Sequence, residues 1–233
     1  MRESRQTVDV EFDGVEFQAY ADETILQAAS RLGVPIPRLC YLEGLSIYGG
    51  CRLCVVQVAE GHRLSPACST QVTPDMEIKT DSPQIRAHRK AILELLFAEG
   101  NHVCAVCVTN GNCELQDSAA EANMDHVRFD YRSPQREIDA SHPKYIFDPN
   151  RCILCTRCVR VCDEIEGAHV WDVAYRGAQA SLVTEGNVPW GEATSCTWCG
   201  KCVAVCPTGA LAYQGNAVGE MEHKPEMIGR LAS

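Results

Sequence analysis

No stretch of this 233-residue sequence is long and apolar enough to enter a bilayer. Spanning needs roughly 20 consecutive apolar residues, and the longest candidate, Ala91 to Ala98, is broken by Glu94. The opening Met1-Arg2-Glu3-Ser4-Arg5-Gln6 has neither an apolar signal core nor a twin-arginine pair, so a cytoplasmic chain is expected. A cationic track is missing as well. Lys and Arg number 21 against 31 Asp and Glu, for a formal charge of −10, which argues against nucleic acid because nothing is there to neutralise phosphates. The sequence also has no GxGxxG turn for a dinucleotide or a flavin,.

Cysteine, by contrast, is abundant. Fifteen are present, an odd number in a chain with no secretory signal, so a disulfide framework is not expected. Many recur at gaps of two residues, which points to metal ligation.

The order of local signals divides the chain. Val8, Val10, Phe12, the Asp13-Gly14 turn, Val15 and Phe17 predict a β-hairpin over residues 8–20,. Asp22 is placed to cap a short helix through Leu32, ended by Gly33 and Pro35,. A loop from Pro37 to Gly50 leads to strands at Leu53–Ala59 and Met76–Thr80. This makes an α+β domain over residues 1–80. Asp81-Ser82-Pro83 then opens a helix with Ile85, Ile92, Leu95 and Leu96 on its apolar face and Gly100 at its end,. Residues 81–140 form the next segment. Residues 141–214 contain two similar cysteine blocks, with a hairpin expected between them at Ala168–Tyr175, and residues 215–233 read as a tail.

The strongest ligand signal is at the C-terminal end. Cys152-x2-Cys155-x2-Cys158-x3-Cys162 is repeated as Cys196-x2-Cys199-x2-Cys202-x3-Cys206-Pro207. Three cysteines at gaps of two can wrap one face of an iron–sulfur cube. The fourth, one turn along the following helix, points to the neighbouring cube, the crossed arrangement of two-cluster ferredoxins. One 4Fe–4S cluster is therefore expected on Cys152, Cys155, Cys158 and Cys206. A second is expected on Cys162, Cys196, Cys199 and Cys202. Asp163 stands where the bacterial motif of the first run has proline.

Cys40-x10-Cys51-x2-Cys54-x13-Cys68 has the three-then-one layout of plant-type 2Fe–2S ferredoxins, with a longer first gap,. Gly49-Gly50 precedes Cys51, where backbone N–H groups can face inorganic sulfide. The remaining Cys104, Cys107 and Cys113 cannot fill four corners alone. His102 is the candidate fourth ligand of a third 4Fe–4S cluster, while His62, His88, His126, His142, His169 and His223 have no comparable setting. Every cysteine is then assigned.

These four sets, with Gly50-Cys51-Arg52-Leu53-Cys54, Gly111-Asn112-Cys113-Glu114-Leu115-Gln116 and Arg151-Cys152-Ile153-Leu154-Cys155-Thr156-Arg157-Cys158, resemble a known arrangement over residues 8–213. It is that of the small diaphorase subunit of NAD-reducing nickel–iron hydrogenases, the N-terminal region of the complex I large iron–sulfur subunit, and the accessory region of iron-only hydrogenases. The resemblance implies a plant-type ferredoxin-like β-grasp domain, a His/Cys3 cluster segment and a bacterial-type two-cluster ferredoxin domain. Complex I relatives usually carry His-x3-Cys where this chain has His102-x-Cys104, and many lack the full second ferredoxin set. The second of these departures favours the hydrogenase branch.

That branch implies an electron-transfer subunit of a hydrogen dehydrogenase complex, with a flavin/NAD-binding diaphorase subunit and nickel–iron hydrogenase subunits as partners in a hetero-oligomer. No substrate-converting site is expected on this chain, which ends some 25 residues after its last ligand with no cysteine left over,. The two C-terminal clusters would face the hydrogen-activating partner. The competing readings are a relay in an NAD-dependent formate dehydrogenase or complex I-like enzyme, and, from another class, a zinc-stabilised interaction module. Arg151, Arg157, Arg160 and Lys201 lie among the cysteines, as solvated or hydrogen-bonding residues, or as docking or potential-raising charges.

Overall fold

The computed structural model describes residues 5–58 and 63–225. His62 and Ala59 therefore lie outside the described residues. Among those described, no helix is long and apolar enough to cross a membrane. The chain packs as two compact units, residues 1–41 with 49–92, and residues 42–48 with 93–233.

In the first unit, β1 (Thr7–Phe12) and β2 (Val15–Tyr20) pair antiparallel from Thr7↔Tyr20 to Phe12↔Val15. Asp13 and Gly14 both have positive φ, 52° and 85°, the backbone of the type I′ turn that matches strand twist. The Asp13 carboxylate also accepts the Thr80 N–H at 2.8 Å. Helix α1 (Ile25–Leu32) follows. Its cap is Thr24, not Asp22. The Thr24 hydroxyl accepts the Gln27 N–H, and the Gln27 side chain accepts the Thr24 N–H at 2.9 Å, a complete capping box. Asp22 is instead engaged by Arg5 at 2.6 Å. Gly33 ends the helix in the left-handed region, φ 77°.

Strands β3 (Val55–Val58), β4 (Arg63–Pro66) and β5 (Met76–Lys79) complete a five-stranded sheet in the order β2-β1-β5-β3-β4. Only β1 and β5 are parallel. Strand β4 has no sequence signal of its own; it forms by pairing with β3. The alternating Val8, Val10 and Phe12 pack on Ile25, Leu26, Ala28 and Ala29, and Cys54 and Cys68 lie in the same core.

Helix α2 (Pro83–Glu99) contains the boundary between the units. Its buried face is carried by Ile85, Leu93 and Ala98, whereas Leu95 is exposed. The expected stripe is displaced because Glu94 is fully buried and its carboxylate accepts the Arg128 Nε–H at 2.7 Å.

In the second unit, α3 (Glu114–Glu121) starts directly after Cys113. Strand β6 (Tyr145–Phe147) pairs antiparallel with β9 (Leu211–Tyr213). The inserted hairpin is longer than expected and lies later, β7 (Trp171–Ala174) against β8 (Ser181–Thr184). Two short helices, α4 (Arg157–Arg160) and α5 (Lys201–Ala204), begin at the ends of the two cysteine runs and carry Cys158 and Cys202. Trp190, Trp171, Phe147, Tyr145, Val161 and Val203 fill the core between them.

The α1 cap gives a direct test. Thr24→Ala should cost about 1 kcal/mol in denaturant unfolding, with a smaller loss for Asp22→Ala. Equal stability of wild type and Thr24→Ala would refute the capping assignment.

Candidate metal centres

The two CxxCxxC runs share one backbone device. In the first, Leu154 and Thr156 have positive φ, 51° and 59°; in the second, Trp198 and Gly200 have 63° and 74°. Each pair flanks the middle cysteine of its run. A left-handed residue on either side reverses the chain at each step, so successive thiols turn inward instead of alternating. For non-glycine residues the conformation costs roughly 1–2 kcal/mol each. Glycine is required at 200 for a second reason, since a Cβ there would lie 2.8 Å from the Tyr145 hydroxyl.

The fourth thiol of each run lies just beyond its short helix, Cys162 in the π-helical turn Val161–Glu166 that continues α4 and Cys206 two residues past the end of α5. Cys152, Cys155, Cys158 and Cys206 line one small cavity with Leu154 and Pro207. Burial, with the Cys206 thiol adding a smaller share, pushes the Cys152 and Cys155 thiols up to about 12. Cys162 lies with the other run. Its thiol is raised by burial and then by Cys199 and Cys196, and that of Cys202 by burial and then by Cys199, Cys162 and Cys196. Cys199 is the exposed member.

In the first unit, Cys40 sits against Cys51 and Cys54 against Cys68. Within each pair one thiol is held up by its neighbour. Cys51 is pushed down to about 5, first by the Cys40 thiol and then by surrounding backbone N–H groups including that of Leu53. Cys68 is lowered by its contact with Cys54. Arg52, between Cys51 and Leu53, has φ 58°, and Gly49 has φ 69°.

Around α3, burial pushes Cys113 up to about 11, with Cys107 and Cys206 adding to it. Cys104 is raised by burial and by Cys107. The His102 imidazole is buried against the Phe97 ring, centroids 5.1 Å apart. Desolvation and then Arg151 push it down to about 4, so it is neutral at physiological pH. Its Nε2 is buried with no hydrogen-bond partner, an atom that needs one. The backbone crowds this region. A Cβ on Gly209 would lie 2.6 Å from Cys107 Sγ, and one on Gly100 would lie 2.4 Å from His102 Nε2.

The donor sets fit iron–sulfur clusters. Thiols packed together without water cannot ionise side by side; a polycation among them removes that penalty. Among the described residues, no three His, Cys, Asp or Glu side chains converge closely enough to hold a single ion. A tetrahedral zinc needs all its ligands within about 2.3 Å.

The three groups of the second unit adjoin one another. Cys113 lies near Cys206 and bonds the Pro207 carbonyl at 3.5 Å, while Cys158 lies near Cys202. The basic residues singled out in the sequence are structural rather than free surface charges. Arg157 is 1% exposed and forks onto Glu114 at 2.6 and 2.8 Å. Arg160 donates to the carbonyls of Cys155 and Ser46. Arg151 pairs with Asp148 at 3.0 Å, and Lys201 pairs with Glu166. The segment after 214 is also engaged: Gly219 N–H donates to the Cys107 carbonyl at 3.1 Å and Met221 N–H to that of Val108 at 3.0 Å. One residue escaped the sequence reading. His142 is buried, with Nε2 facing Cys196 Sγ at 4.0 Å, 54 residues away in sequence.

Three segments match known families. Residues 5–83 match the 2Fe-2S iron-sulfur cluster binding domain. Residues 89–128 match the NADH-ubiquinone oxidoreductase-G iron-sulfur binding region. Residues 144–212 match the ferredoxin-like domain of NADH-quinone oxidoreductase subunit 3. The gamma chain of the NAD-reducing hydrogenase HoxS of Cupriavidus necator is 32% identical, with 88% of this chain and 86% of that protein aligned. The chain belongs to the HoxS gamma family of iron–sulfur proteins. A chain from the crystal structure of an NAD+-reducing nickel–iron hydrogenase in its H2-reduced state superposes on this member at a TM-score of 0.84, with 34% identity over 90% of this chain and 88% of that one. The mitochondrial 78 kDa subunit of NADH-ubiquinone oxidoreductase from Candida albicans is 35% identical over 88% of this chain, but the match spans 28% of its length. In HoxS gamma family terms the chain is a 2Fe–2S ferredoxin-like domain, an iron–sulfur binding region and a 4Fe–4S ferredoxin-like domain.

Gly209 tests the need for space at Cys107. Gly209→Ala should lower iron content by about four atoms per chain, one cube, measured beside acid-labile sulfide. Gly215→Ala, whose Cβ meets nothing within 4 Å although its φ of 85° strains the backbone locally, should keep all its iron. Full loading of Gly209→Ala would show that Cys107 needs no open approach.

Proposed function

We propose that this chain is the electron relay of an NAD-reducing hydrogenase, lying between a nickel–iron subunit and a flavin/NAD-binding subunit in a cytoplasmic hetero-oligomer. The observation that carries this is the succession of adjoining thiol groups in the second unit, from Cys104, Cys107 and Cys113 through Cys206 to Cys199 at the surface. The proposed ligand sets are Cys40, Cys51, Cys54 and Cys68 for one 2Fe–2S cluster, then His102 with Cys104, Cys107 and Cys113 for a 4Fe–4S cluster. The other two 4Fe–4S clusters would be held by Cys152, Cys155, Cys158 and Cys206, and by Cys162, Cys196, Cys199 and Cys202. The segments holding them are 1–80, a β-grasp fold, then 81–140 and 141–214.

An iron–sulfur cluster accepts and returns single electrons at a potential set by charge, hydrogen bonding and burial. The chain's own residues supply those conditions. The left-handed residues aim the thiols inward, and the apolar core excludes water. Arg157 holds a buried positive charge near Cys155 and Cys206, which favours added negative charge. His102, neutral, can offer Nε2. Cys199 brings the last set to the surface beside the exposed Trp198 and Tyr213, where a partner could exchange electrons. The conversion of hydrogen and NAD+ belongs to the partner subunits.

A complex I-like NADH oxidoreductase is the second reading, favoured by the 35% identity to the mitochondrial 78 kDa protein. The proteins that copurify separate the two. The fully loaded chain should contain about 14 iron atoms and about 14 acid-labile sulfides. Within the assembled complex, Cys199→Ala should abolish hydrogen-dependent NAD+ reduction while NADH-to-dye activity survives. Undiminished hydrogen-dependent activity would end the relay assignment.

A further inference from the structure

His142 belongs to no ligand set, yet it is 1% exposed and lies among three aromatic rings, with centroids at 4.7 Å for Tyr145, 4.9 Å for Trp190 and 4.6 Å for Trp198. A buried imidazole in such a place is held for a reason beyond packing, since an aromatic hydrocarbon would fill the same volume without a polar cost. Its two nitrogens are differently employed. Nδ1 accepts the Lys144 backbone N–H at 3.1 Å. A nitrogen that accepts carries no proton, so in the neutral ring the proton is on Nε2. That N–H faces Cys196 Sγ.

We propose that His142 is a positioning residue for electron transfer: its Nε2–H donates to the Cys196 sulfur and raises the reduction potential of the cluster that Cys196 helps hold. This rests on the ligand set Cys162, Cys196, Cys199 and Cys202. The physical basis is simple. Reduction adds one negative charge to the cluster, and a hydrogen bond to a sulfur that has become more negative is stronger, so the donor stabilises the reduced form more than the oxidised form. The ring is held for that purpose. The Lys144 N–H fixes the tautomer, and the Tyr145 hydroxyl donates to the Trp198 carbonyl at 2.9 Å, tying two of the flanking rings together. Gln214 Nε2 donates to the His142 carbonyl. Cys202 of the same set has its own side-chain donor in Trp171, so His142 adds a second donor on a different sulfur of that set.

The test uses the full chain, loaded anaerobically, as wild type, His142→Phe and His142→Gln. Gln keeps an N–H at the reach of Nε2; Phe keeps the ring and loses the donor. Midpoint potentials come from an EPR-monitored titration, with iron content measured alongside. The expected result is full iron in both variants and a more negative potential for one 4Fe–4S signal in His142→Phe, recovered at least in part in His142→Gln. Pulsed EPR of the reduced wild type should show an exchangeable proton, replaced in D2O, that is missing from His142→Phe. Unchanged potentials in a fully loaded His142→Phe chain overturn the proposal. If that variant loads poorly, the absence of such a proton in the wild type, or unaltered coupling in His142→Gln after histidine-specific labelling, overturns it equally. Failure of the ligand set would look different: Cys196→Ala would then retain all its iron.

Discussion

Crowded thiols in a dry interior are the constraint from which the rest of the structure follows. Burial and mutual proximity hold Cys152, Cys155 and Cys113 at about 11 to 12, above their ordinary range. Without a polycation these groups gain little from being together, because each is a small apolar filler with an unspent donor. The backbone nevertheless accepts four left-handed residues, at Leu154, Thr156, Trp198 and Gly200, to bring them face to face. Local strain retained in this way belongs to sites where something else stabilises the arrangement. Folding and loading are thereby expected to be coupled in the second unit.

The same logic explains the buried charges. Arg157 is held by Glu114, the first residue of α3, which directly follows Cys113. One ion pair thus links the segment carrying Cys113 to the helix carrying Cys158. The guanidinium is buried while Glu114 is half-exposed, so the pair adds little net stability. Removing the carboxylate would leave a buried charge without its counter-ion and is the costly way to break it. Glu94 and Arg128 form a similar pair around α2. Charge in the second unit is used to fix one segment against another.

Legibility in the sequence followed the range of the cause. The Asp13-Gly14 turn and the Gly33 stop depend on single residues whose backbone preferences are local, and both were readable. The neighbourhood of Cys162 with Cys196, Cys199 and Cys202 was also readable, because two regular runs followed by a helical turn leave few alternatives. Local patterns failed where a distant partner decides. Asp22 looks like a cap but is engaged by Arg5, leaving Thr24 to do the capping. Glu94 looks like a solvated break in an apolar face until Arg128 supplies its partner. His142 reaches Cys196 only through the fold, and no spacing rule connects them.

The stretch of chain at Gly219 and Met221 runs beside Cys107 and Val108 and hydrogen-bonds to their carbonyls. Part of the backbone support of the Cys107 loop is therefore built by residues more than a hundred positions later. Shortening the chain before Gly219 would delete none of the cysteines, yet it would leave the Cys107 and Val108 carbonyls without these two donors and the loop that presents Cys107 less firmly held.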